Sequence, residues 1–341
     1  MPIVIQLPQV QRKLGQRPTH CPHCRGETFQ GWGTVRKRLK DPKIRSVLVR
    51  RYRCTHCRRT FRHYPQGVSQ AQQSARMKLL AALCWTLGLS YRGIEQILPV
   101  FGVALSRMSS WRDVQAQAEQ LRGRRKWKPA RVVGVDGAWL RGQGVMVAVD
   151  LGDGQPLAIA AIDEKDQAAV LRWLRGLKQR HGIGVLVSDD LAMYRGLTEQ
   201  LEVGHQVCQF HVRRWVGRAC RDLREKLPEE WLWVLDRVQA IMEDLLPNGD
   251  RQLLELYKQV PARRRQGQAY TPLDDLRHLL IRLSESWERY TAFFHDPGIP
   301  WTNNRTEQAI GRMKMREKTT RGYKTPSGRL NGLLISSTKF G

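Results

Sequence analysis

Two CxxC pairs near the start of the chain constrain its fold more than any other feature of the sequence. CPHC holds Cys21 and Cys24, and CTHC holds Cys54 and Cys57. Each pair places two thiolates on one side of a tight turn, and four thiolates suit a tetrahedral structural Zn²⁺ with no open coordination position. The intervening runs TVRKRLK and SVLVRRYRC alternate in polarity, which predicts a small antiparallel ribbon. We therefore expect a zinc ribbon over residues 1–66.

The charge of the chain indicates a polyanionic partner. Its formal net charge is +27 and its sequence pI is about 10.5. The excess of Lys and Arg is concentrated in residues 1–130, whereas residues 131–300 are nearly balanced and residues 301–341 are basic again. So local an excess favours nucleic-acid binding over a general solubility role. The phosphate contacts that we expect on the ribbon are Arg36, Lys37, Arg38, Arg58 and Arg59.

The sequence also indicates the cellular compartment of the protein. No run of about 18 apolar residues is present, so the sequence predicts no membrane span and no membrane partner. The opening residues lack the pattern of a signal peptide. CxxC pairs are typical of metal-bound thiolates in a reducing compartment. We expect a cytoplasmic, nucleoid-associated protein.

Residues 67–130 have a helical pattern. The run ARMKLLAALCWTLGL closes at Gly88, Ser90 is a candidate N-cap for YRGIEQIL, and Ser106 is one for a third helix. This arrangement is typical of a helix-turn-helix, whose second helix enters the major groove. A three-helix bundle without DNA contacts is the alternative. The side chains predicted to be exposed for DNA are Arg107, Ser109, Ser110 and Arg112.

From residue 131 the pattern changes to strands. RVVGVDGAWLR, VMVAVDLG and PLAIAAID predict an antiparallel meander, and a helix, a strand, a second helix and a last strand follow. That order is typical of an RNase H-like core. We expect its first part over residues 131–225, an all-α insertion over residues 226–299, and its second part over residues 300–341. The predicted fold class is a multi-domain α+β protein.

Two aspartates stand out in this core. Asp136 lies inside the apolar run VVGVDGAW, and Asp189 ends the apolar run GVLVSD. A buried carboxylate costs several kcal/mol unless it is paired or holds a metal. In an RNase H-like sheet the two positions are adjacent, and close anions are tolerated chiefly around a divalent cation. Asp190 is the alternative to Asp189, and Asp150 is the alternative to Asp136.

A third carboxylate is expected from a helix in TNNRTEQAIGRMKMREKTTRGYKT. Glu307 falls in its first turn, and Glu317 is an alternative almost three turns further on. We expect basic side chains of this helix to reach toward DNA phosphates. For Trp301 we prefer a place in the core over stacking on an unpaired base. The basic side chains concerned are Arg312, Lys314 and Arg316.

These ordered motifs resemble the DDE transposases of bacterial insertion sequences, specifically the Mutator-like superfamily. The resemblance covers residues 131–222 and 300–335. It implies a catalytic triad of Asp136, Asp189 and Glu307 that holds two Mg²⁺ or Mn²⁺ ions. The family usually has SDG where this chain has SDD. Asp190 therefore remains an alternative to Asp189 as the metal ligand. The run CQFH matches the family's Cys-x-x-His signature, and this implies that Cys208 and His211 lie beside the site.

The resemblance implies an enzyme that binds transposon terminal inverted repeats, cleaves a strand and joins it to target double-stranded DNA. Two ends must be held together, so a homodimer or higher assembly is expected. No phosphate-binding GxxxxGK[ST] loop is present, so we expect no nucleotide cofactor. Two alternatives stay open: a non-catalytic DNA-binding regulator derived from a transposase, and a structure-specific RNase H-like nuclease or resolvase.

Overall fold

The computed structural model describes residues 7–13, 16–261, 269–320 and 322–338. Within these ranges the fold is a mixed α+β fold with two sheets and eleven α-helices. The chain forms two compact units, one of Met1–Arg125 with Gly311–Gly341 and the other of Lys126–Ile310. The domain boundaries given by the sequence stay predictions.

The first unit begins with a three-stranded antiparallel sheet. Its strands are β1 (Phe29–Arg38), β2 (Ser46–Cys54) and β3 (Thr60–His63), in that order across the sheet. The predicted ribbon is therefore present, with a third strand added. Its core is small, because the rings of Phe29, Tyr52 and Phe61 pack together beside the cysteines. So small a core needs a further cross-link to be stable.

Three helices follow in the same unit, each begun by a serine. They are α1 (Ala75–Thr86), α2 (Tyr91–Ile97) and α3 (Arg107–Arg125). Ser74, Ser90 and Ser106 each accept a hydrogen bond from a backbone N–H in the first turn of the helix that follows, as N-caps do. The last helix of the chain, α11 (Pro326–Ser337), contacts α3 in this unit.

The second unit is built on a five-stranded sheet in the order β6-β5-β4-β7-β8. Strands β4, β5 and β6 are antiparallel, while β4, β7 and β8 are parallel. Strand β4 is central and apolar, as the buried run Val132–Val135 shows. The five strands are β4 (Val132–Leu140), β5 (Gln143–Asp150), β6 (Gln155–Ala160), β7 (Val185–Ser188) and β8 (Gly204–Val207).

Helices α4 (Gln167–His181) and α5 (Ala192–Leu201) connect the strands that the sequence predicted them to connect. Their apolar side chains, among them Leu174 and Tyr194, share one core with the sheet residues Val133 and Val135. The predicted order of three antiparallel strands, helix, strand, helix and strand is the observed one.

The remaining helices of this unit enclose a second core. Gln206 ties this helical region to the sheet, because its side chain bonds the backbone of Tyr290 and Phe293. Helix α10 (Asn304–Thr319) begins in this unit and ends in the first. No helix in the described parts of the chain is both long and apolar enough to cross a bilayer. The helices around the second core are α6 (Gln209–Arg224), α7 (Leu232–Asp244), α8 (Gly249–Gln259) and α9 (Pro272–His295).

Candidate functional site

The pairing of β4 with β7 sets the positions of the two aspartates. The register of this parallel pair runs to Gly134 opposite Val187. Asp136 and Asp189 each lie two residues beyond that pair. Because side chains alternate along a strand, both carboxylates leave the sheet on the same face.

The charges of these carboxylates influence one another. Burial, and then the charges of Glu164 and Asp189, raise the pKa of Asp136 to about 7, against an opposing effect of His211. Burial also raises the pKa of Asp189, and His211 again lowers it. Anions arranged in this way favour binding of a cation, because the cation relieves both the burial of charge and the mutual repulsion.

Glu164 is a third carboxylate here that the sequence analysis missed. Tyr194 donates a hydrogen bond from its hydroxyl to Glu164 Oε1 at 2.6 Å. A Cβ on Gly137 would lie 2.5 Å from Glu164 Oε2, so this carboxylate packs against β4 at the residue after Asp136, on the sheet face opposite to the Asp136 side chain. Burial raises the pKa of Glu164, and the negative charge of Asp189 raises it further.

Glu307 enters the same region from the first turn of α10. His211, in the first turn of α6, lies 2.9 Å from Glu307 through its Nε2. Cys208 immediately precedes α6, and ligand atoms of Cys208, His211 and Glu307 all lie within 4.8 Å of one another. Since His211 also influences Asp136 and Asp189 electrostatically, it links the two aspartates to Glu307.

Asn303 fixes the start of α10 against the sheet. Its side-chain amide donates to the Val135 carbonyl at 3.0 Å, and its backbone N–H donates to Cys208 Sγ at 3.3 Å. Gly134 makes this close approach possible, since a Cβ there would lie 2.2 Å from both Asn303 Oδ1 and Thr306 Oγ1. Glu307 is therefore attached to the strand that carries Asp136.

The alternative carboxylates have other partners. Asp190 accepts from Arg282 at 2.6 Å and from the Tyr290 hydroxyl at 3.1 Å. Asp150 is bonded by Lys128 and accepts from the Gly152 N–H at 2.8 Å, as a turn residue does.

Glu317 lies further along α10, in the first unit. It is buried there, and its carboxylate is 3.8 Å from Arg329. Asp189, rather than Asp190, is thus the residue whose charge is coupled to Asp136.

The four N-terminal cysteines converge as a metal site requires. Cys21 Sγ lies 3.8 Å from Cys57 Sγ, and Cys24 Sγ lies 3.6 Å from Cys54 Sγ. Zn–S bonds of about 2.3 Å in a tetrahedron give sulfur separations of about 3.8 Å. All four ligand atoms lie within 4.8 Å of one another. The thiol set therefore fits a single Zn²⁺.

Most of the basic residues predicted to contact DNA are accessible. Arg107 and Arg112 are exposed on α3, and Arg107 pairs with Glu95 at 3.1 Å. Lys314 is exposed on α10, and Lys37 is half-buried on β1. The exposed arginines of the ribbon are Arg36, Arg38, Arg58 and Arg59.

Arg316 differs from the prediction that it projects toward DNA. It is buried, and its guanidinium lies 4.2 Å from the centroid of the Trp85 ring. It donates to the backbone carbonyls of Gly88 and Leu89 at 3.2 and 3.0 Å. The physical reason is that these carbonyls follow the end of α1 and need donors. Arg316 therefore stabilises the first unit internally.

Three further expectations need correction. Arg312 is half-buried and donates to the Ser337 carbonyl at 2.6 Å. Its guanidinium is therefore bound to the C-terminal end of α11 and does not project toward DNA. Ser110 is buried, not exposed, because it lies on the face of α3 that carries Val114. Trp301, for which we preferred a place in the core, is 50% exposed.

Comparisons with known proteins indicate the class. Residues 161–330 match the model of a protein family described as "Transposase IS66 family". The chain is also 21% identical over 332 residues to a protein of Methanobrevibacter smithii described as "Insertion element ISM1 uncharacterized 48.3 kDa protein". That match covers 92% of this chain and 80% of the other.

A comparison of structures matches the catalytic core domain of BIV integrase at 20% identity, over 42% of this chain and 92% of that one, with a TM-score of 0.22. The family match and the insertion-element relative support a transposase-type role in DNA processing. The matching segment is similar to the IS66 family transposase domain. The motifs alone had suggested the Mutator-like superfamily.

Proposed function

We propose that this chain is a DNA transposase of the DDE type with an RNase H-like core, and that Asp136, Asp189 and Glu307 are its catalytic carboxylates. One observation supports this above all. The two aspartates lie two residues beyond the same registered pair of β4 and β7, and Glu307 is attached to β4 through Asn303.

The chemistry of these donors favours hard divalent ions. Carboxylate oxygens bind Mg²⁺ or Mn²⁺ in preference to softer metals. Burial is the main cause of the raised pKa values of Asp136 and Asp189, and a bound cation would offset that cost of burying charge. Two bound ions would supply activation of the attacking oxygen and stabilisation of the leaving oxygen at a phosphodiester.

The chain's own side chains orient this site. Imidazole Nε2 of His211 lies 2.9 Å from Oε1 of Glu307 and orients that carboxylate. Asn303 attaches the start of α10 to β4, and Tyr194 holds Glu164 on the opposite face of that strand. A side chain held by a second hydrogen bond keeps its ligand geometry without further loss of entropy.

The basic N-terminal region is proposed to bind the DNA. A Zn²⁺ held by Cys21, Cys24, Cys54 and Cys57 would stabilise the ribbon, and α2 with α3 would act as a helix-turn-helix on the terminal inverted repeats. Target DNA would be joined by attack of the freed 3′-hydroxyl. Synapsis of two ends requires at least a homodimer. The finer placement in the Mutator-like superfamily remains an expectation from the motifs.

The test is strand cleavage and joining on duplexes that carry the ends of the element encoding this chain, with Mg²⁺. Asp136→Asn, Asp189→Asn and Glu307→Gln should each lower cleavage by at least about 1,000-fold, because each removes an anionic ligand from the transition state. Asp222→Asn, an exposed position on α6, is the matched control and should retain full activity. Asp190→Asn should retain cleavage if Asp189 is the ligand.

Other outcomes distinguish the alternatives. Cleavage without joining would indicate a nuclease or resolvase in place of a transposase. Specific binding to the ends with no cleavage under any divalent ion would indicate a DNA-binding regulator.

A further inference from the structure

A cavity of about 470 Å³ opens beside the proposed catalytic carboxylates. Its volume lies in the range of roughly 300–1,000 Å³ that is typical of small-ligand pockets. Two large aromatic side chains in its wall are half exposed, Trp301 at 50% and Phe210 at 52%. The other residues of the wall are Arg213, Arg214, Thr302 and Asn304.

Trp301 is anchored to its neighbours although its ring is half exposed. The carbonyl of Trp301 accepts a hydrogen bond from the Gln209 N–H at 2.9 Å, which attaches Trp301 to the start of α6. The Arg213 guanidinium lies 5.8 Å from the centroid of the Trp301 ring. An exposed aromatic ring costs free energy in water, and it is stabilised when another flat apolar ring stacks on it.

The cavity adjoins the proposed site through one pair of rings. Phe210 meets His211 edge to face, with ring centroids 5.6 Å apart, and His211 holds Glu307 at 2.9 Å. Asn304 is the first residue of α10, one turn before Glu307. The cavity therefore shares the starts of α6 and α10 with the proposed site.

The wall combines flat rings with guanidinium groups. Bases stack on aromatic side chains whatever their sequence, while arginines bind the phosphates that join them. We propose that this cavity receives one unpaired nucleobase of the DNA strand next to the scissile phosphate, stacked on Trp301 and Phe210, with Arg213 and Arg214 on the neighbouring phosphates. This inference rests on the proposed function and adds a subsite to it.

The test measures binding without cleavage. A single-stranded oligothymidylate with one central 2-aminopurine is titrated with the full chain in the absence of divalent ions. The fluorescence of 2-aminopurine falls when the base stacks. We expect quenching with the unaltered protein, and a loss of affinity of roughly 5- to 150-fold in Trp301→Ala, the range that one stacked base contributes.

Matched variants separate stacking from loss of structure. Trp301→Phe keeps a ring and should retain most of the quenching. Trp233→Ala removes a comparably exposed tryptophan from α7, at 47% exposure, and should leave the affinity unchanged. A strand with abasic sites at the centre should bind the unaltered protein as weakly as the normal strand binds Trp301→Ala.

Equal losses in Trp301→Ala and Trp233→Ala, or undiminished binding of the abasic strand, would overturn the proposal. Absence of quenching in a protein that still cleaves its DNA ends would overturn the subsite alone. Quenching by Trp301 in a protein that does not cleave would support the subsite while contradicting the enzymatic assignment.

Discussion

The side-chain amide of Asn303 donates a hydrogen bond to the backbone carbonyl of Val135 at 3.0 Å, although 168 residues separate them in the chain. Val135 directly precedes Asp136, and Asn303 comes one turn before Glu307. The hydrogen bond therefore sets the distance between two of the proposed catalytic carboxylates. Asn303 Oδ1 and Thr306 Oγ1 are both packed over Gly134, where only hydrogen leaves room for them.

Gly134→Ala should separate α10 from the sheet. The new Cβ would lie 2.2 Å from Asn303 Oδ1 and Thr306 Oγ1, so α10 must move. We expect the free energy of unfolding to fall by about 1–3 kcal/mol. Cleavage should fall about 100-fold or more, because a shift of about 1 Å in a catalytic group has that effect.

The matched control is Gly196→Ala. Gly196 lies within α5, and a Cβ there meets nothing within 4 Å. Denaturant unfolding and DNA cleavage are measured on both variants. Full cleavage by Gly134→Ala would show that the position of α10 does not matter for the chemistry.

Glu164→Gln tests whether the carboxylate missed in the sequence acts in metal binding. Removing its charge should weaken Mg²⁺ binding by about 10- to 100-fold, as loss of a supporting ligand does. The pKa of Asp136, about 7 in the metal-free protein, should fall, because the Glu164 charge contributes to raising it. Calorimetric titration with Mg²⁺ at several pH values measures both effects.

Glu199→Gln serves as the control for that experiment. Glu199 is exposed on α5 and pairs with Arg195. Tighter Mg²⁺ binding in Glu164→Gln would mean that Glu164 only repels its neighbours and takes no part in holding the ion.

Cys54→Ser should abolish zinc binding by the ribbon. Loss of one thiolate leaves three ligands, and the small aromatic core cannot hold the strands without the cross-link. Elemental analysis should find one zinc per chain in the unaltered protein and almost none in the variant. Hydrogen exchange over β1 to β3 should accelerate.

Cys84→Ser is the matched substitution, since Cys84 is a half-buried thiol on α1 outside the cluster. It should keep both the zinc and the slow exchange. A native ribbon in protein that contains no zinc would refute the structural role of the metal.

Asp113→Asn should stabilise the protein above pH 6. Burial raises the pKa of Asp113 from 3.8 to about 6 in the folded chain. The folded state then binds more protons than the unfolded state between about pH 4 and 6, so stability falls as the pH rises through that window. Asn stays neutral, and it should raise the free energy of unfolding by roughly 1–3 kcal/mol at pH 8.

The gain should disappear near pH 4, where Asp113 is protonated in the folded state. Denaturant unfolding from pH 4 to 8 measures this gain in the free energy of unfolding. The control is Glu119→Gln, at an exposed position on α3. A gain of equal size at every pH would mean that the buried charge is not its cause.

Much of this architecture could be predicted because helix caps and apolar runs depend only on residues that are close together in the chain. Ser90 and Ser106 begin helices where the caps indicated, and Glu307 lies in the first turn of the predicted helix. Asp136 and Asp189 stood out because a carboxylate in an apolar run is rare without a reason.

The features that could not be predicted from the sequence depend on contacts between residues that are distant in the chain. Glu164 stands just before α4 in an acidic loop, where Asp166 caps the helix, so nothing local distinguished it. Arg316 resembles any exposed basic residue on a helix, and only the carbonyls at Gly88 and Leu89 reveal its burial. The packing of Gly134 under Asn303 is likewise invisible before the strand and helix meet.

The wide separation of Val135 and Asn303 has a consequence during synthesis. A ribosome that has completed β4 and β7 has released both aspartates, but the glutamate is still untranslated. A polypeptide that stops before α10 would also lack Arg316 and α11, which pack against α1 and α3 in the first unit. The last helices of the chain therefore complete the first unit as well as supplying the third carboxylate of the second, so a nascent chain cannot finish either unit until they are made.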